Sequence, residues 1–212
     1  MSAAREDILA KIKGSQSLDQ AIREKAYAAI PRGYRQAGTL DRKGRLALFE
    51  ERLCDYGATV YHCAADRIAE AVAKAISVRG RRRLATPESV PKGWLPENFD
   101  FVPGDRLTYE ELDGCDGVLT GCAAAIAVTG TIVLEHSPGQ GHRRLTLIPD
   151  YHLCVVLENQ VVETVPEAMR TIASSSSPIT TISGPSATSD IEMTRVKGVH
   201  GPRCFDVILV QE

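Results

Sequence analysis

The first 57 residues carry apolar side chains at the spacing of α-helices. Ile8 and Ile12 lie four residues apart and therefore share one helix face. A second helical stretch must stop before Pro31, because proline disfavours helical backbone at the residue that precedes it. Apolar residues within 46–56 then recur at intervals of three or four up to Gly57, a typical helix terminator. We therefore predict an N-terminal segment made of helices.

Short β-branched runs alternate with helical periods in the middle of the chain. The run at 58–63, ATVYHC, predicts a strand, and a helix follows at about 65–77. A Pro- and Gly-rich connection covers 88–105, and a short helix at 107–114 precedes a buried strand within 115–122. This alternating order predicts a parallel sheet that is covered by helices on both faces.

The rest of the chain has apolar runs separated by Gly and Pro turns. We predict strands at Thr131–Leu134 and Leu145–Ile148, joined by the turn SPGQGHRR, and a third at Leu153–Leu157. A helix at 165–173 and two further strands complete the pattern. The predicted fold class is α/β: an open, mostly parallel sheet with helices on both faces, a β-rich hairpin addition and an N-terminal helical segment.

Length and composition indicate an ordinary globular protein. The 212 residues fit a helical segment at 1–40, packed on the core, and a single α/β domain at 41–212. The 25 Lys and Arg nearly balance the 27 Asp and Glu, and aromatic residues make up 5%, which argues against a nucleic-acid partner. No apolar run approaches the ~20 residues that span a bilayer, and no signal peptide is evident, so we expect a cytoplasmic location.

Familiar cofactor motifs are missing from the sequence. The six cysteines form no CxxC pair, so zinc-ribbon and iron–sulfur patterns are excluded and the thiols are interpreted as reduced core residues. No P-loop, complete dinucleotide fingerprint or nucleophile elbow occurs. We expect neither a cofactor nor a metal on this chain, and the sequence leaves open whether it is an enzyme.

Four polar clusters are candidate sites, and the first lies at 120–131. Small side chains there would let the backbone approach a ligand closely. A tightly packed turn beside the sheet explains the pattern equally well. The candidate residues are Gly121, Thr129, Gly130 and Thr131.

The second and third clusters follow closely in sequence. In the turn at 137–144, backbone N–H groups and guanidinium groups could hold a phosphate or carboxylate, although a hairpin turn with solvated arginines fits almost as well. Its candidates are Gly139, Gly141 and Arg143. Asp150 and His152 form the third cluster, because they share one side of an extended segment and the carboxylate could orient the imidazole.

The fourth cluster is the loop ISGPSATSDIE at 182–192. Ser189 and Glu192 have the spacing of a capping box, which is a structural role. The remaining polar residues would lie beside a positive helix end that attracts anions. These candidates are Gly184, Ser186, Thr188 and Asp190, with His200 close enough in sequence to reach the same space. We predict an anion-holding loop and not a nucleophile.

A run of arginines at Arg79–Arg83 has two interpretations. It could form an anion patch, but cations are expected after the C-terminus of a helix, where they meet the negative end of the helix dipole. We favour the second, structural interpretation, because a charge run is most often a solvated face.

Three ordered motifs resemble one family. LTGCAAAIAVTGTIVL, PGQGHRRLTLIPDYHLCVV and ISGPSATSDIEMTRVKGVHGPR are similar to the lactate-utilisation protein C family, the LUD-domain proteins. The resemblance runs from about Asp116 to the C-terminus, and the N-terminal helical part is similar in order and length. It implies a Rossmann-like fold of the glucosamine-phosphate isomerase, ribose-phosphate isomerase and CoA-transferase group.

The resemblance also implies a function. This bacterial chain would be an accessory component of cytoplasmic L-lactate oxidation to pyruvate, acting with two iron–sulfur proteins that carry the clusters. No catalytic residues are carried over, and Ala123 and Val128 stand where family members commonly have acids. The alternative is a stand-alone enzyme or binding protein for a phosphorylated, nucleotide or acyl-CoA ligand, which the glycine turns and the loop at 184–190 favour.

Overall fold

The structure is a computed structural model that describes residues 3–15, 20–137, 139–185, 187–188, 196–197 and 201–211. The chain divides into two compact units, Met1–Tyr34 and Arg35–Glu212. The first unit contains helices α1 (Ala3–Ser15) and α2 (Gln20–Ala28), as the apolar spacing predicts. The boundary at residue 40 and the packing of the helical segment on the core remain predictions.

A six-stranded sheet forms the centre of the second unit. Its strands are β1 (Thr59–Ala64), β2 (Arg83–Thr86), β3 (Asp100–Pro103), β4 (Gly117–Thr120), β7 (Tyr151–Leu157) and β12 (Cys204–Gln211). They lie in the order β1-β12-β7-β4-β2-β3, and each neighbouring pair is parallel. The predicted open parallel sheet is therefore confirmed.

A second, smaller sheet is mixed. Its strands are β5 (Ala124–Ile126), β6 (Thr131–Glu135), β8 (Val161–Val162) and β9 (Ile179–Ile182), in the order β8-β5-β6-β9. The pairs β5–β6 and β6–β9 are antiparallel, and β5–β8 is parallel. The short strands β10 (Ala187–Thr188) and β11 (Val196–Lys197) pair separately. This sheet is the predicted β-rich addition, but it is not a simple hairpin.

Helices and the second sheet cover the two faces of the main sheet. The helices are α3 (Arg42–Asp55), α4 (Ile68–Val78), α5 (Tyr109–Asp113) and α6 (Val165–Thr171). One buried cluster joins Phe49 of α3 to Ile132 of the second sheet and Val156 of the main sheet. A cluster on the other face joins Val72 of α4 to Leu153. The sheet is thus buried on both sides, as its continuous apolar strands require.

Two sequence predictions about local structure are wrong. The predicted strand Leu145–Ile148 overlaps a 3-10 helix at Arg143–Thr146. Leu145 of this helix and Ile148 after it belong to the same apolar cluster. The predicted connection at 88–105 contains β3, an edge strand. Pro103 ends it, and an edge position tolerates a proline that a central strand would exclude.

Arg79, at the end of α4, holds the amino-terminal edge of the main sheet. Its Nε donates to Asp206 Oδ2 at 2.9 Å and its terminal nitrogen to Oδ1 at 2.5 Å. Asp206 is fully buried on β12, and the hydroxyl of Tyr151 on β7 donates to the same carboxylate at 3.0 Å. These bonds raise the pKa of Arg79, because they stabilise its charged form.

The rest of the Arg79–Arg83 run holds further strand ends at this edge. Arg81 approaches Asp150 at 3.5 Å, and Arg83 approaches Asp100 at 3.5 Å. The carboxylate of Asp116, just before β4, accepts the backbone N–H groups of residues 82 and 83 at 2.9 and 3.0 Å. The structural interpretation of the arginine run therefore fits, although ion pairs and not the helix dipole alone explain it.

Asp206→Ala tests how strongly this edge depends on one buried carboxylate. Removing it leaves the Arg79 charge uncompensated, so we expect the free energy of unfolding to fall by about 3–5 kcal/mol. Asp100→Ala is the matched control, because Asp100 and Arg83 form an exposed pair and should contribute less than about 1 kcal/mol. Urea unfolding at pH 7 measures both. Equal losses in the two variants would contradict this account.

Candidate functional site

The carboxyl-terminal edge of the main sheet has a crevice between β2 and β4. The chain leaves β2 for β3 on one side, whereas β4 pairs with β2 on the other side. In open parallel sheets, ligands bind where the strand connections diverge in this way. The crevice is therefore the first place to look for a site.

A loop at 136–143, here called the glycine loop, lies over this crevice; residue 138 is outside the described part. The N–H of Gly121, just after β4, donates to the carbonyl oxygen of Gly139 at 3.2 Å. Gln140 accepts the N–H of Glu135 at 2.6 Å. Gly141 has a φ of +71°, and a methyl group there would overlap the side chain of Leu145. The loop is thus fixed by contacts that demand glycine at this point.

A cavity of about 400 Å³ opens beside the glycine loop. This switch-point cavity is lined by Pro87, Glu88, Ser89, Asp105, His136, Ser137, Gly141 and His142. A smaller pocket of about 180 Å³, whose lining includes Trp94, Gly121 and Gly139, adjoins the same loop. Both spaces lie where the strand topology predicts a ligand.

Basic groups dominate the glycine loop. The rings of His136 and His142 meet edge to face, with centroids 6.5 Å apart. Burial, His142 and Arg143 together lower the pKa of His136. Arg143 is half-buried and donates to the Thr146 hydroxyl at 3.2 Å, and burial lowers its pKa. Burial therefore disfavours the charged form of both His136 and Arg143, and a bound anion would offset that cost.

His152 is buried in the main sheet and not exposed to a ligand. Its Nε2 lies 2.8 Å from the Thr120 hydroxyl, and its ring lies 5.2 Å from that of Phe205. Its Nδ1 is buried without a hydrogen-bond partner among the described residues. Burial, with a contribution from the charge of Arg143, lowers its pKa to about 3. The imidazole is therefore neutral at physiological pH.

The predicted pairing of Asp150 with His152 is wrong. Asp150 lies before β7, at the opposite edge from the cavity, where it accepts two bonds from Arg203 at 2.6 and 2.9 Å. The hydrogen bonds from Arg203 are the main reason that the pKa of Asp150 is lowered, and burial opposes them. The Arg203 partner comes from a distant part of the sequence, so the local pattern could not reveal it.

A second polar cluster unites parts of the first and fourth predicted clusters. The Thr131 hydroxyl lies 2.7 Å from the hydroxyls of Thr129 and Ser183. Gly130, with a φ of +57°, packs against the backbone of Arg52, so close packing accounts for that glycine. Ser183 was not among the predicted residues, and only its pairing across the second sheet brings it here.

Gly184 adjoins this hydroxyl cluster. It has a φ of +76° and packs against Tyr56. Several other candidates of the fourth cluster cannot be placed: Ser186, Ser189, Asp190, Glu192 and His200 lie outside the described residues, and only the backbone of Thr188 is described. The predicted helix cap and anion-holding loop therefore remain predictions.

Ala123 and Val128, the positions at which the resemblance implied acids, have apolar neighbours. Ala123 and Val128 pack against the buried cluster formed by Ala124, Ile126 and neighbouring residues under α6. A carboxylate at either position would lie beside these apolar side chains, where its charged form is disfavoured. The replacements therefore suit this chain.

His136 and His142 are the site residues that the sequence analysis missed. They flank the glycines of the turn HSPGQGHRR, of which only the glycines and Arg143 were predicted as candidates. Two imidazoles six residues apart around a glycine turn are the signal that would have found them. The structure brings them together with Gly139, Gly141 and Arg143, which were predicted.

The cysteines form no disulfides in the described part of the chain. All six cysteines are free; Cys115, Cys122 and Cys154 are buried, whereas Cys54 is exposed. Across the described residues, no three His, Cys, Asp or Glu side chains gather as a metal-binding group. Within the same residues, no helix is both long and apolar enough to cross a membrane.

Comparisons with known proteins agree with the predicted resemblance. The family model of the LUD domain matches residues 95–210. "Lactate utilization protein C" of Deinococcus radiodurans is 44% identical over 205 residues, which is 95% of each chain. The protein of the same name from Halalkalibacterium halodurans is 35% identical over 53% of this chain and 52% of its own. A crystal structure of a DUF162 family protein from Deinococcus radiodurans has a TM-score of 0.72 and 43% identity, covering 81% of this chain and 99% of that one.

The buried His152 predicts a pH dependence of stability. Its folded pKa of about 3 lies below the unfolded value of about 6.5, so between these values the unfolded chain binds more protons and acid favours unfolding. From pH 8 to pH 5, this residue should remove about 2 kcal/mol from the free energy of unfolding.

Urea unfolding of wild type and His152→Gln at both pH values measures the effect. The loss on acidification should be about 2 kcal/mol smaller in the variant, because glutamine does not titrate. His62→Gln is the matched control, since it removes an imidazole that is exposed and not buried. The same loss in wild type and His152→Gln would exclude this account.

Proposed function

The chain belongs to the LUD domain family, and we propose from this membership that it acts in bacterial lactate utilisation. The observation that carries the proposal is the 44% identity with "Lactate utilization protein C" of Deinococcus radiodurans over 95% of both chains. We propose more specifically that it is an accessory component of the cytoplasmic oxidation of L-lactate to pyruvate. That reaction releases two electrons and two protons for each L-lactate.

The electrons require carriers, and in this proposal two iron–sulfur partner proteins supply them. The chain itself would contribute binding and positioning from the carboxyl-terminal edge of its sheet, where the switch-point cavity and the glycine loop lie. Rigid elements that present a site on loops are the usual way in which such sheets serve a reaction. Its place in the isomerase and CoA-transferase fold group is part of the proposal as well.

Reconstitution tests this function. The two purified partner proteins are incubated with L-lactate and an artificial electron acceptor, with and without this chain, and pyruvate is measured. We expect the chain alone to form no pyruvate and to raise the rate of the partners several-fold. Heat-denatured chain serves as the control for added protein. An unchanged rate when the chain is omitted would refute the proposal.

A second candidate function is favoured by the size of the cavity. About 400 Å³ falls within the range of pockets for drug-sized ligands, and lactate has only six heavy atoms. The alternative is therefore a stand-alone enzyme or binding protein for a phosphorylated, nucleotide or acyl-CoA ligand.

Thermal unfolding with sugar phosphates, nucleotides and CoA esters tests this alternative. A specific ligand at 100 times its Kd should stabilise the protein by about 2.7 kcal/mol. Lysozyme under the same conditions controls for effects of the compounds themselves. Unfolding temperatures that do not change across the whole panel would rule the alternative out.

A further inference from the structure

The switch-point cavity combines two acids with a group of basic side chains, and the acids are already engaged. Asp105 accepts the backbone N–H of Glu88 at 2.7 Å. Glu88 lies 3.6 Å from the guanidinium of Arg106. Each acid therefore already has a partner of its own, a backbone N–H for Asp105 and a guanidinium for Glu88.

The basic residues lack such compensation. Among the described residues, no carboxylate lies within ion-pair distance of His136, His142 or Arg143, whereas the exposed His62 has Glu50 at 3.0 Å. His136 contacts the Thr180 hydroxyl at 3.3 Å, which is a neutral partner. A ligand with negative charge would supply a counter-charge for Arg143 and an acceptor for the imidazole N–H groups.

Arg143 is partly buried and has no acidic partner among the described residues. Arg79 and Arg81 are also partly buried, and each of them faces an aspartate. The guanidinium of Arg143 has instead a hydroxyl, on Thr146, and burial opposes its charge. An arginine that loses water without gaining an anion is costly, unless its role is to bind one. Its field also reaches His136, in the cavity wall.

We propose that the switch-point cavity binds the oxyanion end of a small ligand, held between the imidazoles of His136 and His142 and attracted by Arg143. Ser89 also lines the cavity and contributes a hydroxyl group to it. Imidazole and guanidinium groups donate to carboxylate and phosphate alike, and these charge-assisted bonds are the strong ones. The contacts of Gly139, Gln140 and Gly141 hold the described part of the glycine loop in place before the ligand arrives.

Two ligand classes share this oxyanion chemistry. A carboxylate would be that of L-lactate or pyruvate, and this identification rests on the proposed function. A phosphate would be that of an inorganic, sugar or nucleotide ligand, and this identification rests on the cavity volume. The anion site itself depends neither on the proposed function nor on the cavity volume, because it follows from the charged and polar groups around the cavity.

Isothermal titration of the full chain tests the site with four probes: L-lactate, pyruvate, inorganic phosphate and coenzyme A. The variants are His142→Gln and Arg143→Gln. The matched controls are His62→Gln and Arg83→Gln, which remove an exposed imidazole and an exposed guanidinium that already have acidic partners. Circular dichroism confirms that each variant folds, and the exposed position of His142 makes that variant the safer one.

We expect at least one probe to bind saturably. His142→Gln should weaken that probe by about tenfold or more, since a hydrogen bond to a charged group contributes about 1.5–3 kcal/mol. Arg143 lies outside the cavity lining, so Arg143→Gln removes only its longer-range attraction and should weaken the probe by a smaller factor that still exceeds that of the controls. The controls should change Kd less than about twofold. Preference for pyruvate and L-lactate would identify the carboxylate class, and preference for phosphate or coenzyme A the other.

The inference is overturned if none of the probes binds the wild type at 10 mM, which is roughly the weak limit for a specific small-ligand site. It is also overturned if the cavity variants bind as tightly as the controls. These outcomes are separate from those of reconstitution. If the chain raises lactate oxidation but binds none of the probes, the proposed function stands and this site is refuted. If the chain binds a probe but does not raise lactate oxidation, the site stands and the proposed function is refuted.

Discussion

The buried carboxylate of Asp206 is the constraint on which the rest of the structure depends. It lies on β12, between β1 and β7, where an unpaired charge would be strongly unfavourable. Arg79 and Tyr151 both donate hydrogen bonds to it. Arg79 also donates to the Thr59 hydroxyl at 3.0 Å. The end of α4 is therefore fixed against β1, β7 and β12 together.

This arrangement divides the sheet into a structural edge and an edge with freedom for function. At the amino-terminal edge, the arginines after α4 are matched by aspartates that begin or precede other strands. At the carboxyl-terminal edge, His136 and His142 of the glycine loop line the switch-point cavity, and among the described residues no acid lies within ion-pair distance of either imidazole. The structural edge thus has arginines paired with aspartates, whereas the edge with the candidate site has basic side chains without acidic partners among the described residues.

Much of the fold was predictable from local patterns. The Thr108 and Glu111 capping box starts α5, and the apolar period of 65–77 corresponds to α4, because both signals lie within a few residues. The edge strand β3 was not predicted, since Pro103 and the surrounding glycines resemble a connection. The 3-10 helix at Arg143–Thr146 was mistaken for a strand, because the shape of the cluster that receives Leu145 depends on distant residues.

The site was predictable only in part, for the same physical reason. The glycine loop carries its own signal, and Gly141 and Arg143 were found from it. The contact between Gly121 and Gly139 depends on how the second sheet returns the chain to β4, which no local pattern contains. The pairing of Asp150 with Arg203 likewise joins residues 53 positions apart, and it removed a plausible catalytic pair.

The imidazoles of the glycine loop hold an anion in this account, and nuclear magnetic resonance of ¹⁵N-labelled histidine tests that binding most directly. Pyruvate and then inorganic phosphate are titrated into the full chain while the imidazole nitrogen resonances are followed. The account predicts saturable shifts of His136 and His142 with one of these anions, and none for His62, which already pairs with Glu50. Resonances of His136 and His142 that stay unmoved, or that move no more than that of His62, would contradict it.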